Sequence, residues 1–133
     1  MTLITSVNQP IISAVIPAYN ESQGLSAALT HIAGILNTCE NAWEIIVVDD
    51  GSRDETYQQI CQLSKAEPRI KGLSLSRNFG KEAAMLAGLA HAKGEAVIII
   101  ESVIYGHALL GFFYRLNTLP LLLIVFANRH LRL

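Results

Sequence analysis

Three short polar segments of the chain carry side chains suited to a ligand that has hydroxyl groups and negative charge. They are residues 17–21, 49–52 and 77–81. The first two offer carboxylates, which accept hydrogen bonds from sugar hydroxyls and base N–H groups and can also bind a divalent cation. The third offers Arg77 and Lys81, whose cationic groups match the charge of phosphate. Because the segments are far apart in sequence, only the fold can bring them together.

The first of these segments contains no glycine. Dinucleotide-binding folds and P-loops place glycines in the first strand-to-helix turn so that backbone amides can approach phosphate. Both of those classes are therefore excluded. A site built on carboxylates instead indicates contacts to sugar hydroxyls, to a base edge, or to a divalent cation that bridges to phosphate, and a nucleotide sugar offers all three.

Four apolar runs predict the strands that would position these segments, at 11–16, 43–48, 70–75 and 96–100. The first run is ended by Pro17. Segments with helical spacing lie between the runs, the second behind a Ser52–Glu55 capping-box pattern. The resulting βαβαβαβ order predicts an α/β fold with a mostly parallel, doubly wound sheet. Ligands bind beyond the carboxyl ends of such strands, so the three polar segments should share one edge.

Composition limits the class of protein further. The chain has 133 residues, of which 51% are hydrophobic, and this suits a single packed domain. The formal net charge of −1 leaves no basic excess, so we expect no nucleic-acid partner. Cys39 and Cys61 lack the spacing of a disulfide framework or a zinc site, which fits a cytoplasmic location. Residues 1–10 do not resemble a secretory signal and are expected to be a flexible lead-in.

Three stretches of the sequence resemble the opening motifs of family 2 glycosyltransferases. They are Val15-Ile-Pro-Ala-Tyr-Asn-Glu21, Val47-Val-Asp-Asp-Gly-Ser-Arg-Asp-Glu-Thr56 and Leu75-Ser-Arg-Asn-Phe-Gly-Lys-Glu-Ala-Ala84. They occur in order, each at the end of a predicted strand. The Arg-Asn-Phe-Gly-Lys segment is typical of the branch similar to dolichyl-phosphate mannosyltransferase and bacterial undecaprenyl-phosphate (bactoprenol) glycosyltransferases.

The resemblance implies a GT-A fold, which is Rossmann-like, with residues 11–102 as its nucleotide-sugar-binding part. It also assigns residues to the donor nucleotide, because carboxylates accept from imide or ribose groups and cations bind phosphate. The assigned residues are Pro17, Tyr19 and Glu21 beside the nucleoside, Asp49 or Asp50 on the base or ribose, Arg77 and Lys81 near the diphosphate, and Gly80 where the backbone must approach closely.

The activity implied is transfer of a sugar from a UDP- or GDP-linked donor to a polyprenyl phosphate, in cell-envelope or lipopolysaccharide glycan synthesis. It would take place at the cytoplasmic face of the inner membrane. The family binds Mg²⁺ or Mn²⁺ at an Asp-x-Asp motif after the fourth strand. Here that position reads Glu101-Ser-Val103, so Glu101 is a candidate metal ligand and Val103 cannot ligate a hard cation. An incomplete metal site should remove most transferase activity.

Residues 103–133 form a divergent apolar tail that does not resemble the acceptor half of the family. The resemblance therefore implies a chain truncated before the Asp-x-Asp motif. If Val103-Ile-Tyr105 is written GTG-ATT-TAY, another frame contains codons for Asp-Leu, and this suggests an out-of-frame tail. Arg129, His130 and Arg132 suit contact with a membrane surface. Three alternatives remain open: a non-catalytic nucleotide-binding module, a pseudogene product, and a signalling receiver domain with carboxylates at its strand ends.

Overall fold

The computed structural model describes residues 9–100 and a short strand at 124–127. Expectations that fall on 1–8, 101–123 and 128–133, including the candidate metal ligand Glu101, lie outside the described residues. The elements in chain order are β1 (Ile12–Ala18), α1 (Leu25–Cys39), β2 (Trp43–Asp49), α2 (Thr56–Ala66), β3 (Ile70–Ser74), α3 (Lys81–His91), β4 (Ala96–Ile99) and β5 (Ile124–Ala127).

The strands form one sheet in the order β3-β2-β1-β4-β5. β1 pairs in parallel with both β2 and β4, and β2 pairs in parallel with β3. The mostly parallel α/β sheet with alternating helices is therefore confirmed. β5 is an addition to the predicted topology, and it runs antiparallel to β4 at the edge of the sheet.

Helices cover both faces of the sheet, which explains why the strands read as unbroken apolar runs. On one face α1 and α2 pack against inward side chains such as Ile16 and Val47. On the other face α3 packs against Val15, Ile46 and Val48. The sheet is thus doubly wound, as predicted.

The sequence pattern predicted that the first strand ends at Pro17, and this prediction is wrong. β1 continues to Ala18, and Pro17 is buried within it. Pairing of β1 with β2 reaches Ala18, but pairing with β4 stops at Val15. Along a strand, the backbone N–H groups of alternate residues point to the two neighbouring strands in turn. The N–H that Pro17 lacks would have pointed to β4, beyond the Val15–Ile99 pair. The strand accommodates Pro17 because no ladder hydrogen bond is lost.

A buried polar network joins the amino ends of the strands. Glu44 at the start of β2 is 2% exposed. Its Oε1 accepts from Ser13 Oγ at 2.7 Å and from the Lys93 backbone N–H at 2.8 Å, and its Oε2 accepts from Lys71 Nζ at 2.6 Å. Burial acts to raise the pKa of Glu44, but these hydrogen bonds outweigh it and the pKa lies below its ordinary value. The network therefore holds an ionised carboxylate inside the fold.

Two helical glycines give a matched test of how tightly α3 packs on the sheet. A Cβ on Gly88 would overlap Cγ1 of Val15 and lie 3.1 Å from Cγ2 of Val48, whereas a Cβ on Gly34 in α1 would meet no atom of the described residues within 4 Å. Gly88→Ala should therefore lower the free energy of unfolding by about 1–3 kcal/mol through overpacking. Gly34→Ala should raise it by about 0.5–1 kcal/mol, because alanine favours the helix. Urea denaturation of both variants checks this, and equal effects at the two sites would contradict it.

Within the described ranges, no helix has the length and hydrophobicity needed to cross a membrane.

Candidate functional site

The loops that carry the three polar segments converge at the carboxyl edge of the parallel strands. Backbone hydrogen bonds join the strand ends, from Asp50 N–H to the Ala18 carbonyl at 2.8 Å and from Leu75 N–H to the Asp49 carbonyl at 2.9 Å. β1 lies between β2 and β4, so the strand order reverses beside β1. Such a switch point, beyond the carboxyl ends, is where ligands bind in α/β sheets.

Asn20 joins the loop after β1 to the loop after β2. Its φ of 51° lies in the left-handed region, which asparagine tolerates better than most residues. The backbone N–H of Asn20 donates to Ser52 Oγ at 2.9 Å, and its side-chain Oδ1 accepts from the Arg53 N–H at 2.8 Å. Tyr19, which precedes Asn20, is 41% exposed at this junction.

A second pair of hydrogen bonds reinforces the same junction. The backbone N–H groups of Glu21 and Ser22 donate to Thr56 Oγ1 at 2.9 Å and to Asp54 Oδ2 at 3.3 Å. Burial acts to raise the pKa of Asp54, but hydrogen bonds from Thr56 and Ser22 lower it below the ordinary value. The two loops are therefore held together by side chains of the second motif.

The predicted capping box at Ser52 and Glu55 is wrong. α2 begins at Thr56, and Glu55 at its N-cap position makes no side-chain capping hydrogen bond. Ser52 Oγ instead accepts from Asn20, and Asp54 Oδ1 accepts from the Thr56 N–H at 3.0 Å. The loop is longer than predicted because its polar side chains bind the neighbouring loop, and this competes with helix formation.

The adjacent carboxylates Asp49 and Asp50 are each 3% exposed, and they point to different partners. Asp49 Oδ1 accepts from the backbone N–H of Ser52 at 3.2 Å. Asp50 Oδ1 accepts from the Phe79 N–H at 2.8 Å, and its Oδ2 accepts from the Gly80 N–H at 3.1 Å. Asp50 thereby joins the loop after β2 to the loop that precedes α3.

Gly51 and Gly80 allow this junction to close. Gly51 has a φ of 70°, and a Cβ there would overlap the Arg77 carbonyl carbon and the Asn78 nitrogen. Gly80, with a φ of 104°, is the N-cap residue of α3, and its N–H also donates to Asn78 Oδ1 at 3.1 Å. Both backbone conformations suit glycine because a Cβ disfavours them.

Arg77 is exposed and lies over the ring of Phe79, with its guanidinium carbon 4.3 Å from the ring centroid. This is the geometry of a cation–π contact. Arg69 pairs with Glu67 and Lys71 pairs with Glu44, but Arg77 has no carboxylate partner among residues 9–100. Within that part of the chain its positive charge is therefore not neutralised by a carboxylate.

The structure thus brings most of the sequence-predicted site residues to one edge. Pro17 is buried near the end of β1, Glu21 is half-buried in the following loop, and Lys81 is exposed at the first position of α3. Those at this edge are Pro17, Tyr19, Glu21, Asp49, Asp50, Arg77, Gly80 and Lys81. Glu101 lies outside the described residues.

Sequence reasoning did not assign roles to Asn20, Asp54, Thr56 and Phe79, which build the junctions between the loops. The first three are residue types that commonly hydrogen-bond to nearby backbone, and this was the available signal. For Phe79 the signal was an aromatic residue in an otherwise polar loop.

The described residues do not by themselves fit a Mg²⁺ or Mn²⁺ ion. No group of three or more His, Cys, Asp or Glu side chains is placed to hold a metal there. Asp49, Asp50 and Asp54 each accept hydrogen bonds from backbone amides instead. No step of the proposed function is therefore derived through a metal.

A hollow of about 280 Å³ lies at the opposite, amino edge of the sheet, between Trp43 and Arg69. Arg69 stacks on Trp43 at 3.9 Å and pairs with Glu67 at 2.9 Å. Because its guanidinium is already satisfied, this hollow offers no comparable chemistry.

The strand order and the converging loops define a Rossmann-like α/β protein with its candidate site beyond the carboxyl ends of the strands. A receiver-type sheet places β1 between β2 and β3, whereas here β1 lies between β2 and β4. The receiver alternative is therefore wrong. The sequence model of Glycosyl transferase family 2 matches residues 13–102, and the chain belongs to this family.

Curated relatives agree with this assignment. An uncharacterised glycosyltransferase of Synechocystis, sll0501, is 42% identical over 91 residues, which cover 68% of this chain and 29% of the relative. The undecaprenyl-phosphate 4-deoxy-4-formamido-L-arabinose transferase of Salmonella paratyphi A is 34% identical over 92 residues, covering 68% of this chain and 28% of the transferase. The chain therefore spans less than a third of the length of these relatives.

Solved structures of glycosyltransferases share the fold. TarS residues 1–349 of S. aureus, in complex with UDP-GlcNAc, align with a TM-score of 0.56 and 26% identity over 77% of this chain and 30% of that one. The mannosyltransferase PcManGT of Pyrobaculum calidifontis, in complex with GDP-Man and Mn²⁺, aligns with a TM-score of 0.53 and 25% identity over 70% of this chain and 27% of that one. These neighbours support a GT-A fold and the use of a divalent metal by the family.

Proposed function

We propose that residues 11–102 form the donor-binding part of a glycosyltransferase that uses a UDP- or GDP-linked sugar. The observation that carries this proposal is the convergence of the three motif loops at the switch-point edge, with the Arg77 guanidinium exposed and without a carboxylate partner in residues 9–100. A diphosphate supplies the anion that such a group binds. The complexes of TarS with UDP-GlcNAc and of PcManGT with GDP-Man support the same ligand class.

The roles within the site follow the chemistry of its residues. Tyr19 and Glu21 lie in the loop after β1, where the exposed ring and the carboxylate suit a nucleoside, and Pro17 is buried near the end of that strand. Asp49 lies at the next strand end, beside the same loop, where a carboxylate suits a base or ribose. Arg77 and Lys81 flank Gly80 on the third loop, in reach of a diphosphate. Asp50 joins this third loop to the loop after β2 through the Phe79 and Gly80 N–H groups.

The proposal also includes an acceptor and a metal ion. The name of the Salmonella transferase supports a polyprenyl phosphate as acceptor. We propose that this acceptor is reached at the cytoplasmic face of the membrane. The structure of PcManGT with Mn²⁺ supports a divalent cation for the family, and in this chain Glu101 would be a ligand. A cation held there would supply positive charge to the departing nucleoside diphosphate.

Isothermal titration of the 133-residue chain with UDP and with GDP tests the donor site. One of the two nucleotides should bind, and Arg77→Gln should weaken its binding about tenfold, because a charge-assisted hydrogen bond to phosphate is lost. Lys65→Gln is the matched control, since Lys65 is an exposed cation in the last turn of α2. Absence of binding to both nucleotides would contradict the proposal, as would an Arg77→Gln variant that binds like the wild type. Binding without sugar transfer would instead favour the nucleotide-binding module.

A further inference from the structure

We propose that Asp50 is a positioning residue, which fixes the 77–80 loop through its backbone and thereby presents Arg77 to the diphosphate. This inference rests on the proposed donor-binding function. It differs from a direct contact between Asp50 and the nucleotide, because the carboxylate would act through Phe79 and Arg77.

The first step is the fit between one carboxylate and two consecutive amides. Asp50 Oδ1 accepts from Phe79 N–H at 2.8 Å, and Oδ2 accepts from Gly80 N–H at 3.1 Å. Two adjacent donors need two acceptors in one plane, and an ionised carboxylate provides them. An asparagine would turn its NH₂ group toward one of the two amides and lose that hydrogen bond.

The second step is the inward orientation of the Asp50 carboxylate. Both of its oxygens already have partners on the loop, whereas the equally buried Asp49 accepts the Ser52 N–H through Oδ1. The two amides lie at the N-terminus of α3, where the helix dipole favours a negative charge. Asp50 therefore places its negative charge directly before this helix end.

The third step links the fixed backbone to Arg77. Phe79 is one of the two residues whose N–H groups bind Asp50. Its ring lies beneath the Arg77 guanidinium, with the guanidinium carbon 4.3 Å from the ring centroid. On the other side, the Arg77 and Asn78 backbone packs against Gly51 so closely that a Cβ would not fit. The loop is thus held by Asp50 and Gly51, and its one arginine is placed by Phe79.

A double-mutant cycle between Asp50→Asn and Arg77→Gln tests this coupling. The ligand is whichever of UDP or GDP the wild type binds, with the corresponding nucleoside titrated in parallel. Each single variant should weaken nucleoside diphosphate binding about tenfold, and the double variant should be weaker than either by no more than about threefold, since both changes remove the same interaction. Binding of the nucleoside should be unchanged. An additive loss of about a hundredfold would overturn the proposal, as would an equal loss of nucleoside binding, which a direct contact predicts.

Amide hydrogen exchange measured by NMR gives a readout that does not need a nucleotide. Asp50→Asn should lower the protection of one of the two amides, Phe79 or Gly80, namely the one that the new NH₂ group faces. Glu95→Gln, an exposed carboxylate change at the opposite edge, should leave both amides protected. Retained protection at both amides in Asp50→Asn would refute the positioning role. If the wild type binds neither UDP nor GDP, the proposed function fails, and the exchange result alone then decides whether Asp50 holds the loop.

Phe79→Leu serves as the second variant if Asp50→Asn does not fold. It keeps the Phe79 N–H on Asp50 and removes the aromatic face beneath Arg77. Diphosphate binding should weaken about threefold while amide protection stays, because a cation–π contact contributes roughly 0.5–1 kcal/mol at exposed sites. Phe79→Tyr should restore binding. Wild-type affinity in Phe79→Leu would overturn the link to Arg77.

Discussion

Gly51→Ala should abolish measurable nucleotide binding and lower the free energy of unfolding by at least about 2 kcal/mol. The new Cβ would overlap the backbone of Arg77 and Asn78, and it would lie 2.8 Å from the Arg77 Cα. Backbone atoms cannot rotate away as a side chain can, so the whole 77–80 loop must move. The φ of 70° adds about 1–2 kcal/mol of strain for a residue with a Cβ. Urea denaturation and titration with UDP and GDP measure the two effects.

Gly80→Ala separates backbone strain from steric overlap. Gly80 also has a positive φ, of 104°, but among the residues that the structure describes a Cβ there would meet only Glu82 Oε2, at 3.8 Å. We therefore expect Gly80→Ala to destabilise the chain clearly less than Gly51→Ala. Equal destabilisation of the two variants would contradict this expectation. It would mean that the close approach between Gly51 and the 77–80 loop does not determine the cost of a Cβ at position 51.

Glu44→Gln should lower the free energy of unfolding by about 1–2 kcal/mol at neutral pH, because the Lys71 pair is lost. Glutamine can keep its oxygen on Ser13 and Lys93, so those two hydrogen bonds survive. Glu44→Ala should cost more, about 3 kcal/mol, because it leaves both donors without their acceptor. Urea denaturation of the two variants measures the difference, with the exposed Glu95→Gln as control.

The Glu44 effect should also depend on pH. The pKa of Glu44 is lowered in the fold, so its ionised form stabilises the protein above the ordinary value of 4.5, and this stability is lost as the pH falls through the lowered pKa. The unfolding free energies of wild type and Glu44→Gln should therefore differ at pH 7 and converge in acid. A difference that stays constant down to pH values at which the wild type begins to unfold would contradict this assignment.

Much of the fold could be predicted because its signals are local. The unbroken apolar runs of β1 and β2 required burial on both faces. The buried side of α1 was predicted from the helical spacing of Leu25, Ala28, Leu29, Ile32, Ile35 and Leu36. Ile35 is 38% exposed, so the prediction is wrong there, and the other five are buried. The predicted end of β1 at Pro17 is wrong, because the effect of a missing N–H depends on which neighbouring strand that position faces. No sequence pattern contains that information before the sheet is assembled.

The residues of the candidate site could be predicted from the sequence better than their hydrogen-bond partners could. Carboxylates and cations at strand ends placed Asp49, Asp50 and Arg77 on one edge. Which partner each carboxylate binds depends on side-chain direction at consecutive positions: Asp49 binds the Ser52 N–H within its own loop, and Asp50 binds the loop before α3. The Ser52–Glu55 pattern predicts a helix cap, but Ser52 binds the neighbouring loop instead. The pattern cannot separate the two, because a cap and a loop-to-loop contact use the same residue types.

Pro17 has one more consequence, for the pairing of β1 with β4. The Ile100 N–H donates to the Val15 carbonyl at 2.9 Å. In a parallel ladder, the next residue of β1 to donate toward β4 would be residue 17, and proline has no N–H to offer the Ile100 carbonyl. At the edge that carries the candidate site, β1 therefore gives β4 one hydrogen-bond donor fewer than a non-proline residue would.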